Sequence, residues 1–343
     1  MKKHLNTLFV LTQGAYLKKE GQAIVVRIEK TDRLRLPMIN IAAIVCFGRV
    51  SCSPYLLGAC AQRGIAISFM TEHGRFLAAV NGFTPGNVLL RREQYRRADS
   101  PEATATIARA CIVGKLANYR TVLRRANRDQ QKSESTDRIE RMANRIDLKL
   151  KTLQSGLGLD QLRGVEGDAT ADYFAVFNEL ITSQKEWFSF TSRSRRPPLD
   201  PVNAMLSFLY SMLTNDMRSA CESVGLDAAV GFLHRDRPGR PGLALDLMEE
   251  LRPVLVDRVV LSVINRQQVN VAGFIKEPGG GIRMDDATRK ELVGAYQKRK
   301  SEEITHPFLQ EKMTLGLVPL IQARLMARFL RGDSDAYPPF NWK

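Results

Sequence analysis

Cysteine, histidine and tryptophan are scarce in this chain of 343 residues, which contains five cysteines, four histidines and two tryptophans. The cysteines form no CxxC pair and have no cluster of histidines beside them, so the sequence argues against a disulfide framework and a zinc site. Most of them lie in apolar segments. We interpret them as reduced, buried thiols of a cytoplasmic protein; they are Cys46, Cys52, Cys60, Cys111 and Cys221.

Long apolar runs are also missing from the sequence. No window approaches the roughly 20 apolar residues that a membrane-spanning helix needs. The short apolar run near the N-terminus is interrupted by Thr12 and Gln13, which favours a strand over a signal peptide. The sequence therefore predicts a soluble protein with no membrane partner.

Acidic residues are too few to balance the basic ones. The chain has 51 Lys and Arg against 36 Asp and Glu, for a formal net charge of +15. Such an excess favours a polyanionic partner such as a nucleic acid. Residues 91 to 151 alone hold sixteen basic and eight acidic side chains. A basic protein that binds no nucleic acid is the alternative interpretation.

The patterning predicts an α+β protein with two domains. Residues 1–85 carry strand signals, with hairpin turns at Glu20-Gly21 and His73-Gly74 and one short helix after Ser53, which favours a small antiparallel β-sandwich. From the NGFTPGN stretch onward, apolar residues recur at helical spacing. We therefore predict a larger all-α domain over residues 86–343, interrupted by a short hairpin across Gly279 to Gly281.

A histidine and two carboxylates occur together in the segment FLHRDRPGRPGLALDLMEELRP. His234 precedes a basic loop, and Asp246 and Glu249 follow it at i and i+3, so both acids project from one face of a helix toward a single cation. Glu166, in the upstream segment GVEGDAT, adds a further carboxylate. Carboxylates together with an imidazole form a set that binds Mg²⁺ or Mn²⁺, and the imidazole suits Mn²⁺ better.

Each of these residues also has an ordinary structural interpretation. Glu166 could be a solvent-facing residue near a helix start, His234 a core or surface residue, and the acids a solvated helix face. Adjacent side chains cannot face one metal, so we assign Glu249 to the site and predict that Glu250 is exposed. Glycines beside Glu166 predict a close backbone approach at Gly164 and Gly167, since glycine otherwise costs a helix stability.

Arginines accompany these segments in three groups. Guanidinium groups suit phosphate oxygens, and such a surface would bind a nucleic-acid backbone in a salt-sensitive way. A solvated helix face is the alternative. A helix that begins at Asp200-Pro201 follows one group and brings Asn203 near the candidate site. The arginines are Arg193, Arg195 and Arg196; Arg235, Arg237 and Arg240; and Arg91, Arg92, Arg96 and Arg97.

Taken together, four segments resemble the Cas1 family of CRISPR adaptation integrases. They are EGDATADYF, RRPPLDPVNAMLSFLYSML, FLHRDRPGRPGLALDLMEELRP and HPFLQEKMTLGLVPLIQARLMARFLRGD, and they occur in that family's order. With the β-rich N-terminal region, the resemblance covers essentially the whole chain. The segment RPGRPGLALDLMEE is most similar to the type I-C variant of the family.

The resemblance implies a catalytic site and an assembly. Glu166, His234 and Glu249 would be the catalytic, metal-binding residues, with Glu249 in place of the aspartate of many members and Asp246 as an additional acid of the metal site. Family members form homodimers, here through the β-rich domain, and flank the small Cas2 subunit. They insert short DNA segments into a repeat array, acting on duplex and branched ends through attack by a 3′-hydroxyl.

Two other functions remain compatible with the sequence. One is a metal-dependent nuclease that acts on DNA or RNA without an integration role. The other is a non-catalytic, basic DNA-binding protein in which the three acids are structural. The integrase function predicts metal-dependent joining of DNA strands, whereas the other two functions do not.

Overall fold

A computed structural model describes residues 7–41, 43–72, 76–80, 88–154 and 156–342 of the chain. The chain divides into two compact units, Met1–Gly86 and Asn87–Lys343. The predicted turn at His73-Gly74 and the NGFTPGN stretch lie outside the described residues. Within those residues, no helix combines the length and the apolar character needed to cross a bilayer.

Short strands and one helix make up the described part of the N-terminal unit. In chain order they are β1 (Thr7–Val10), β2 (Tyr16–Glu20), β3 (Ala23–Ile28), β4 (Thr31–Pro37), β5 (Ala43–Phe47), β6 (Ser51–Cys52), α1 (Pro54–Gln62), β7 (Ala66–Met70) and β8 (Phe76–Val80). Ser53 accepts a hydrogen bond from the Leu56 N–H at 3.2 Å and caps α1 as predicted.

The strands form two four-stranded sheets, in the orders β1-β5-β7-β8 and β4-β3-β2-β6. The hairpins β2–β3 and β7–β8 are antiparallel, but β1–β5, β5–β7 and β2–β6 pair in parallel. The prediction of a purely antiparallel domain is therefore wrong. Parallel pairing of β5 with β7 requires a crossover connection, and the segment containing β6 and α1 provides it.

One apolar cluster fills the N-terminal unit. Leu17 and Ile24 enter it from one sheet, Ile44 and Ile67 from the other, and Leu56 from α1, and each of these side chains is fully buried. Burial of apolar area is the main favourable term in such a unit, and this cluster supplies it.

Helices dominate the C-terminal unit. In chain order its elements are α2 (Val88–Asp99), α3 (Pro101–Asp129), α4 (Glu134–Thr152), α5 (Leu159–Ala175), α6 (Pro201–Ser223), α7 (Gly242–Met248), α8 (Arg258–Asn265), β9 (Phe274–Lys276), β10 (Ile282–Met284), α9 (Asp286–Ser301), β11 (Glu303–Thr305), β12 (Lys312–Thr314) and α10 (Val318–Arg331). The hairpin β9–β10 was predicted. The antiparallel pair β11–β12 was not, so the description all-α is wrong.

The longest helix, α3, begins as its sequence indicates. Ser100 accepts a hydrogen bond from the Ala103 N–H at 3.3 Å, and Pro101 occupies the first turn, where its missing N–H has no consequence. The helix buries Ile107, Cys111 and further apolar side chains against its neighbours. It therefore forms a fixed wall beside α5 and α7.

Helix α7 is short because two features limit it. It begins where Gly242 lies against the loop before it: a Cβ at this position would lie 2.6 Å from the Ala229 oxygen and 2.9 Å from the Gly231 nitrogen. After Met248 the chain passes into a π-helical segment, Arg252–Asp257, with Pro253 in its first turn. A proline at position 253 is expected to bend or end the helix nearby, and the structure shows this interruption.

The C-terminal tail docks behind α7. The side-chain amide of Asn118 on α3 donates hydrogen bonds to the main-chain oxygens of Glu250, at 2.6 Å, and of Phe340, at 2.7 Å. The side-chain oxygen of Asn118 accepts a hydrogen bond from the Trp342 N–H at 2.7 Å. The Glu250 carboxylate accepts hydrogen bonds from the Tyr337 hydroxyl and the Phe340 N–H. Glu250 is fully buried, so the prediction of an exposed side chain is wrong.

Replacement of Gly242 by alanine is expected to destabilise the protein by about 1–3 kcal/mol, because the new methyl group overlaps main-chain atoms that cannot move aside cheaply. Urea unfolding followed by circular dichroism measures the change. Gly167→Ala is the control: a Cβ there meets nothing within 4 Å, so this variant should be neutral or slightly more stable. Wild-type stability of Gly242→Ala would refute the proposed close approach.

Candidate active site

Three segments that are distant in the sequence bring the candidate residues to one cavity of about 440 Å³. Glu166 comes from α5, His234 from the loop before α7, and Glu249 directly follows the last residue of α7. All three line the cavity. The predicted groups therefore converge on one place in the C-terminal unit.

Asp246 fixes the loop that carries the histidine. Its carboxylate accepts hydrogen bonds from the N–H groups of Phe232 at 2.5 Å, Leu233 at 3.0 Å and His234 at 3.0 Å. The same carboxylate lies 2.6 Å from His234 Nδ1. Nδ1 therefore carries the proton and donates to it, which leaves Nε2 directed toward Glu249.

This arrangement gives Asp246 a supporting place rather than a place in the cavity wall. The carboxylate is fully buried and already engaged by the loop and the ring, and the residue is not among those that line the cavity. The sequence grouped Asp246 with the metal ligands. Its contacts favour a different task, which is to orient the imidazole.

A lysine that the sequence did not single out lies at the centre of the site. Lys115, on α3, is almost completely buried, and its Nζ forms ion pairs with Glu166 and, at 2.7 Å, with Glu249 Oε2. Glu249 Oε1 is 3.1 Å from the Arg252 guanidinium and 3.8 Å from His234 Nε2. In the part of the chain that the structure describes, no group of three His, Cys, Asp or Glu side chains could hold a metal ion as positioned.

The charges in this cluster stabilise one another. Burial alone would raise the pKa of the Glu249 carboxyl, but the positive charges of Arg252 and Lys115 outweigh it and lower the pKa to about 2. Burial also disfavours a charged Lys115, yet the nearby carboxylates of Glu249 and Glu166 raise its pKa above the usual value. The site therefore contains ionised groups of both signs at neutral pH.

Glu166 is the most accessible of the three predicted groups. Its side chain is 24% exposed, and Oε1 accepts a hydrogen bond from the Thr170 hydroxyl at 2.9 Å. A Cβ placed on Gly164 or Gly167 would meet nothing within 4 Å. The predicted close backbone approach beside Glu166 is therefore wrong, because both glycines face open space.

The donor chemistry of the cavity fits a divalent cation. Carboxylate oxygens of Glu166 and Glu249 and the imidazole of His234 face the same space. Oxygen donors suit Mg²⁺, and a mixed set with one imidazole suits Mn²⁺. A carboxylate behind the ligating imidazole, as Asp246 lies behind His234, is the usual support for such a ligand.

Positive charge dominates the wall of the cavity, where eight lysine and arginine side chains accompany two carboxylates. Five of the predicted arginines belong to this wall, whereas Arg196 does not. The four arginines of α2 also lie outside it, and Arg91 and Arg97 are bound within the protein, to the Gly225 oxygen at 3.2 Å and to Glu93 at 3.0 Å. The five arginines of the wall are Arg193, Arg195, Arg235, Arg237 and Arg240.

The arginines of the wall differ in their freedom. Arg193 is held by Asn203 at 2.5 Å and Ser207 at 3.0 Å, and Arg235 pairs with Asp160 at 3.1 Å. Within the described ranges, no acidic group lies within ion-pair distance of Arg195, Arg237 or Arg240. These three are the side chains of the wall best able to take up a phosphate. Asn203 organises the loop and is not part of the cavity wall.

Sequence reasoning missed several residues of the wall. Two of them carried a signal: Arg252 continues the i, i+3 series of Asp246 and Glu249, and Lys115 interrupts an apolar stretch of α3. A charged residue on a buried helix face needs a partner. The missed residues are Lys115, Tyr119, Arg163, Thr170, Phe174, Tyr210, Leu233 and Arg252.

A tyrosine and a buried aspartate support the wall from behind. Tyr210 lines the cavity, and its hydroxyl donates to Asp257 Oδ1 at 2.5 Å. Guanidinium groups of Arg252 and Arg193 lie 5.0 and 5.4 Å from the Tyr210 ring centre, within cation–π distance. Burial raises the pKa of the Asp257 carboxyl to about 6, although the hydrogen bond from Tyr210 opposes that change.

The chain is an α+β protein in which a β-rich unit is followed by a helical unit. Its basic cavity, with two carboxylates and an imidazole, is a site for anionic ligands. The family model for CRISPR associated protein Cas1 matches residues 8–298. A CRISPR-associated endonuclease Cas1 from Chlorobaculum tepidum is 52% identical over 343 residues, which is all of both chains. The chain belongs to the Cas1 family.

Solved structures share the fold at lower sequence identity. A casposase bound to an integration product has a TM-score of 0.84 at 21% identity, with 99% of this chain and 95% of that chain covered. A chain of a Cas6-RT-Cas1–Cas2 complex has a TM-score of 0.83 at 22% identity. This chain is covered completely in that comparison and spans 36% of the larger one. Both likenesses support the architecture described above.

Replacement of Asp257 by asparagine should change how stability depends on pH. Because the carboxyl has a pKa of about 6 in the folded protein against 3.8 ordinarily, the wild type loses stability as pH rises through this window. The variant lacks this contribution, so across the window the difference between the two proteins should shift by about 3 kcal/mol in favour of the variant. Urea unfolding between pH 4 and 7 measures it.

Tyr210→Phe provides the second arm of that experiment. It removes the donor that lowers the pKa of Asp257, so the loss of stability should extend to higher pH than in the wild type. A difference between the wild type and Asp257→Asn that stays constant over the whole window would contradict the assignment.

Proposed function

We propose that the chain is a metal-dependent DNA endonuclease and integrase of CRISPR spacer acquisition. It inserts short DNA segments into a repeat array through attack by a DNA 3′-hydroxyl. The observation that carries the proposal is the convergence of Glu166, His234 and Glu249 on one strongly basic cavity. The relative in Chlorobaculum tepidum, which is named as an endonuclease, and the casposase bound to an integration product support the same chemistry.

Glu166, His234 and Glu249 would hold a Mg²⁺ or Mn²⁺ ion, which when bound favours a deprotonated nucleophile and neutralises charge on phosphate oxygens. The other residues prepare the cavity for DNA. Asp246 orients the ring of His234 through its hydrogen bond with Nδ1, so that Nε2 is directed inward. Arg252 keeps Glu249 ionised, and Arg237 and Arg240 bind backbone phosphates.

The reaction is a transesterification that conserves the number of phosphodiester bonds. The 3′-oxygen of the incoming strand forms a bond to phosphorus, and the bond from phosphorus to the 3′-oxygen of the target strand breaks. The attacking hydroxyl loses a proton and the leaving oxygen gains one. With water as the nucleophile, the same site cleaves DNA, so both activities follow from one set of groups.

Features of the assembly extend the proposal. We infer membership of the type I-C variant from the segment RPGRPGLALDLMEE, and a two-layer sandwich for the N-terminal sheets.

Ile39 and Tyr55 on the N-terminal unit are 86% and 85% exposed, which suits burial against a second copy of the chain. The likeness to a chain of a Cas1–Cas2 complex supports Cas2 as a partner, with duplex and branched DNA as substrate.

Substitution of the three converging groups tests the proposal. Glu166→Gln, His234→Ala and Glu249→Gln are each expected to reduce strand joining at least about 100-fold, because each removes a group of the reacting centre. Joining is measured on labelled DNA with Mn²⁺ and Cas2 present, and DNA affinity is measured separately. Asp168→Asn is the control: this residue lies on the same helix, pairs with Lys149 and is 59% exposed. A variant with wild-type joining would not belong to the site.

Donor DNA with a 3′-phosphate in place of the 3′-hydroxyl separates the competing functions. An integrase joins only the hydroxyl donor. Cleavage without any joined product, in the presence of Cas2, would favour a nuclease that lacks an integration role. Absence of both activities with either metal would favour a non-catalytic DNA-binding protein.

Arg237→Ala and Arg240→Ala test the arginines assigned to phosphate. Each is expected to weaken DNA binding several-fold and to reduce the slope of log affinity against log salt by about one, irrespective of DNA sequence. Fluorescence anisotropy at several salt concentrations measures both quantities. Arg331→Ala, at the end of α10 and outside the cavity wall, is the matched control. An unchanged slope would exclude the residue from phosphate binding.

A further inference from the structure

Lys115 has a position that the proposed chemistry does not explain. Its side chain is 2% exposed, and its ammonium group pairs with Glu166 Oε1 and lies 2.7 Å from Glu249 Oε2. These carboxylates are two of the three groups assigned to the metal. An ammonium group thus lies between the oxygens that a divalent ion would require.

We propose that Lys115 is a built-in counter-cation: its ammonium occupies the metal position of the metal-free site and must withdraw before a divalent ion binds. The inference rests on the proposed function, because it concerns the affinity of that same site for metal. Lys115 thereby lowers the affinity of the site for Mn²⁺ and Mg²⁺ and stabilises the metal-free protein.

Electrostatics explains why a cation is needed there. Two carboxylates that face one small space repel each other. Glu249 is almost fully buried, so water cannot screen its charge as it would at the surface. Lys115 pairs with both carboxylates, neutralises this repulsion and keeps them aimed at the same point.

The other cation near Glu249 cannot perform this task. Arg252 contacts Glu249 through Oε1, at 3.1 Å, whereas Lys115 contacts Oε2. In the part of the chain that the structure describes, Lys115 is the cation that pairs with both Glu166 and Glu249. Lys115 alone therefore bridges the two carboxylates, and Arg252 can stay in place when a metal ion binds.

Steric exclusion makes the two cations alternatives. A divalent ion binds carboxylate oxygens at about 2.1 Å, which leaves no room for an ammonium group between the same two oxygens. The lysine side chain is flexible and unbranched, and its ammonium lies 5.5 Å from the centre of the Tyr119 ring on the same helix. That ring offers a cation–π surface to which the charge can withdraw.

Removal of the charge at position 115 is the test. Lys115→Met keeps a similar side-chain length without the ammonium, and Lys115→Gln is a second neutral variant that can still donate a hydrogen bond to a carboxylate. Isothermal titration with Mn²⁺ is expected to give at least about tenfold tighter binding for both variants than for the wild type. Wild-type or weaker affinity in the two variants would overturn the inference.

Thermal unfolding gives a second readout that does not involve activity. In metal-free buffer, Lys115→Met should melt below the wild type, because its carboxylates lack their cation, and Mn²⁺ should raise its Tm by more than it raises that of the wild type. Lys149→Met is the matched control, since Lys149 pairs with Asp168 and Asp172 outside the cavity. Its Mn²⁺ response should equal that of the wild type.

Failure of the proposed function gives a different result. If Mn²⁺ bound neither to the wild type nor to the Lys115 variants, the metal dependence itself would be wrong. If Mn²⁺ bound to the wild type and Glu249→Gln abolished binding, but Lys115→Met and Lys115→Gln left the affinity unchanged, the metal site would stand and only the role of Lys115 would be refuted.

Discussion

The hydrogen bonds that Asp246 accepts from three consecutive N–H groups are the constraint on which the site depends. A loop of glycine, proline and arginine has no regular pattern to hold it, yet its first residue, His234, must face the cavity. One buried carboxylate on α7 fixes the main chain before the loop and the tautomer of the ring together. Because Glu249 lies one turn further along, the same helix sets the distance between imidazole and carboxylate.

Two adjacent glutamates at the end of α7 have opposite surroundings. Glu249 faces lysine, arginine and histidine, so its pKa falls to about 2, whereas burial raises the pKa of Glu250, among neutral donors, to about 7. Helix α3 serves both: Lys115 contacts Glu249, and Asn118, almost one turn later, contacts the main chain of Glu250. Helix α3 therefore supports both the cavity, at Glu249, and the contact with the docked tail, at Glu250.

Local patterns predicted the features that depend on neighbouring residues. The caps at Ser53 and Asp200 and the interruption at Pro253 were all legible in the sequence. Features that depend on distant partners were not. Parallel pairing of β5 with β7 and the burial of Glu250 arise only when remote segments meet.

The partners of Lys115 could not be predicted from the sequence either. A lysine on an apolar helix face signals that some acid must meet it, but the sequence does not say which one. The resemblance supplied the identity of the acids and nothing about their cation. The resemblance thus predicted which acids meet at the cavity, whereas the local balance of charge required the three-dimensional arrangement.

The docked tail is recognised through both its main chain and its side chains. Asn118 and Glu250 contact the peptide groups of Phe340 and Trp342. The Tyr337 hydroxyl donates to the Glu250 carboxylate, and the Arg125 guanidinium lies 3.8 Å from the centre of the Trp342 ring. A one-residue insertion or deletion between Tyr337 and Trp342 would move the peptide groups and the aromatic side chains out of register with their partners at the same time, so both length and composition constrain this segment.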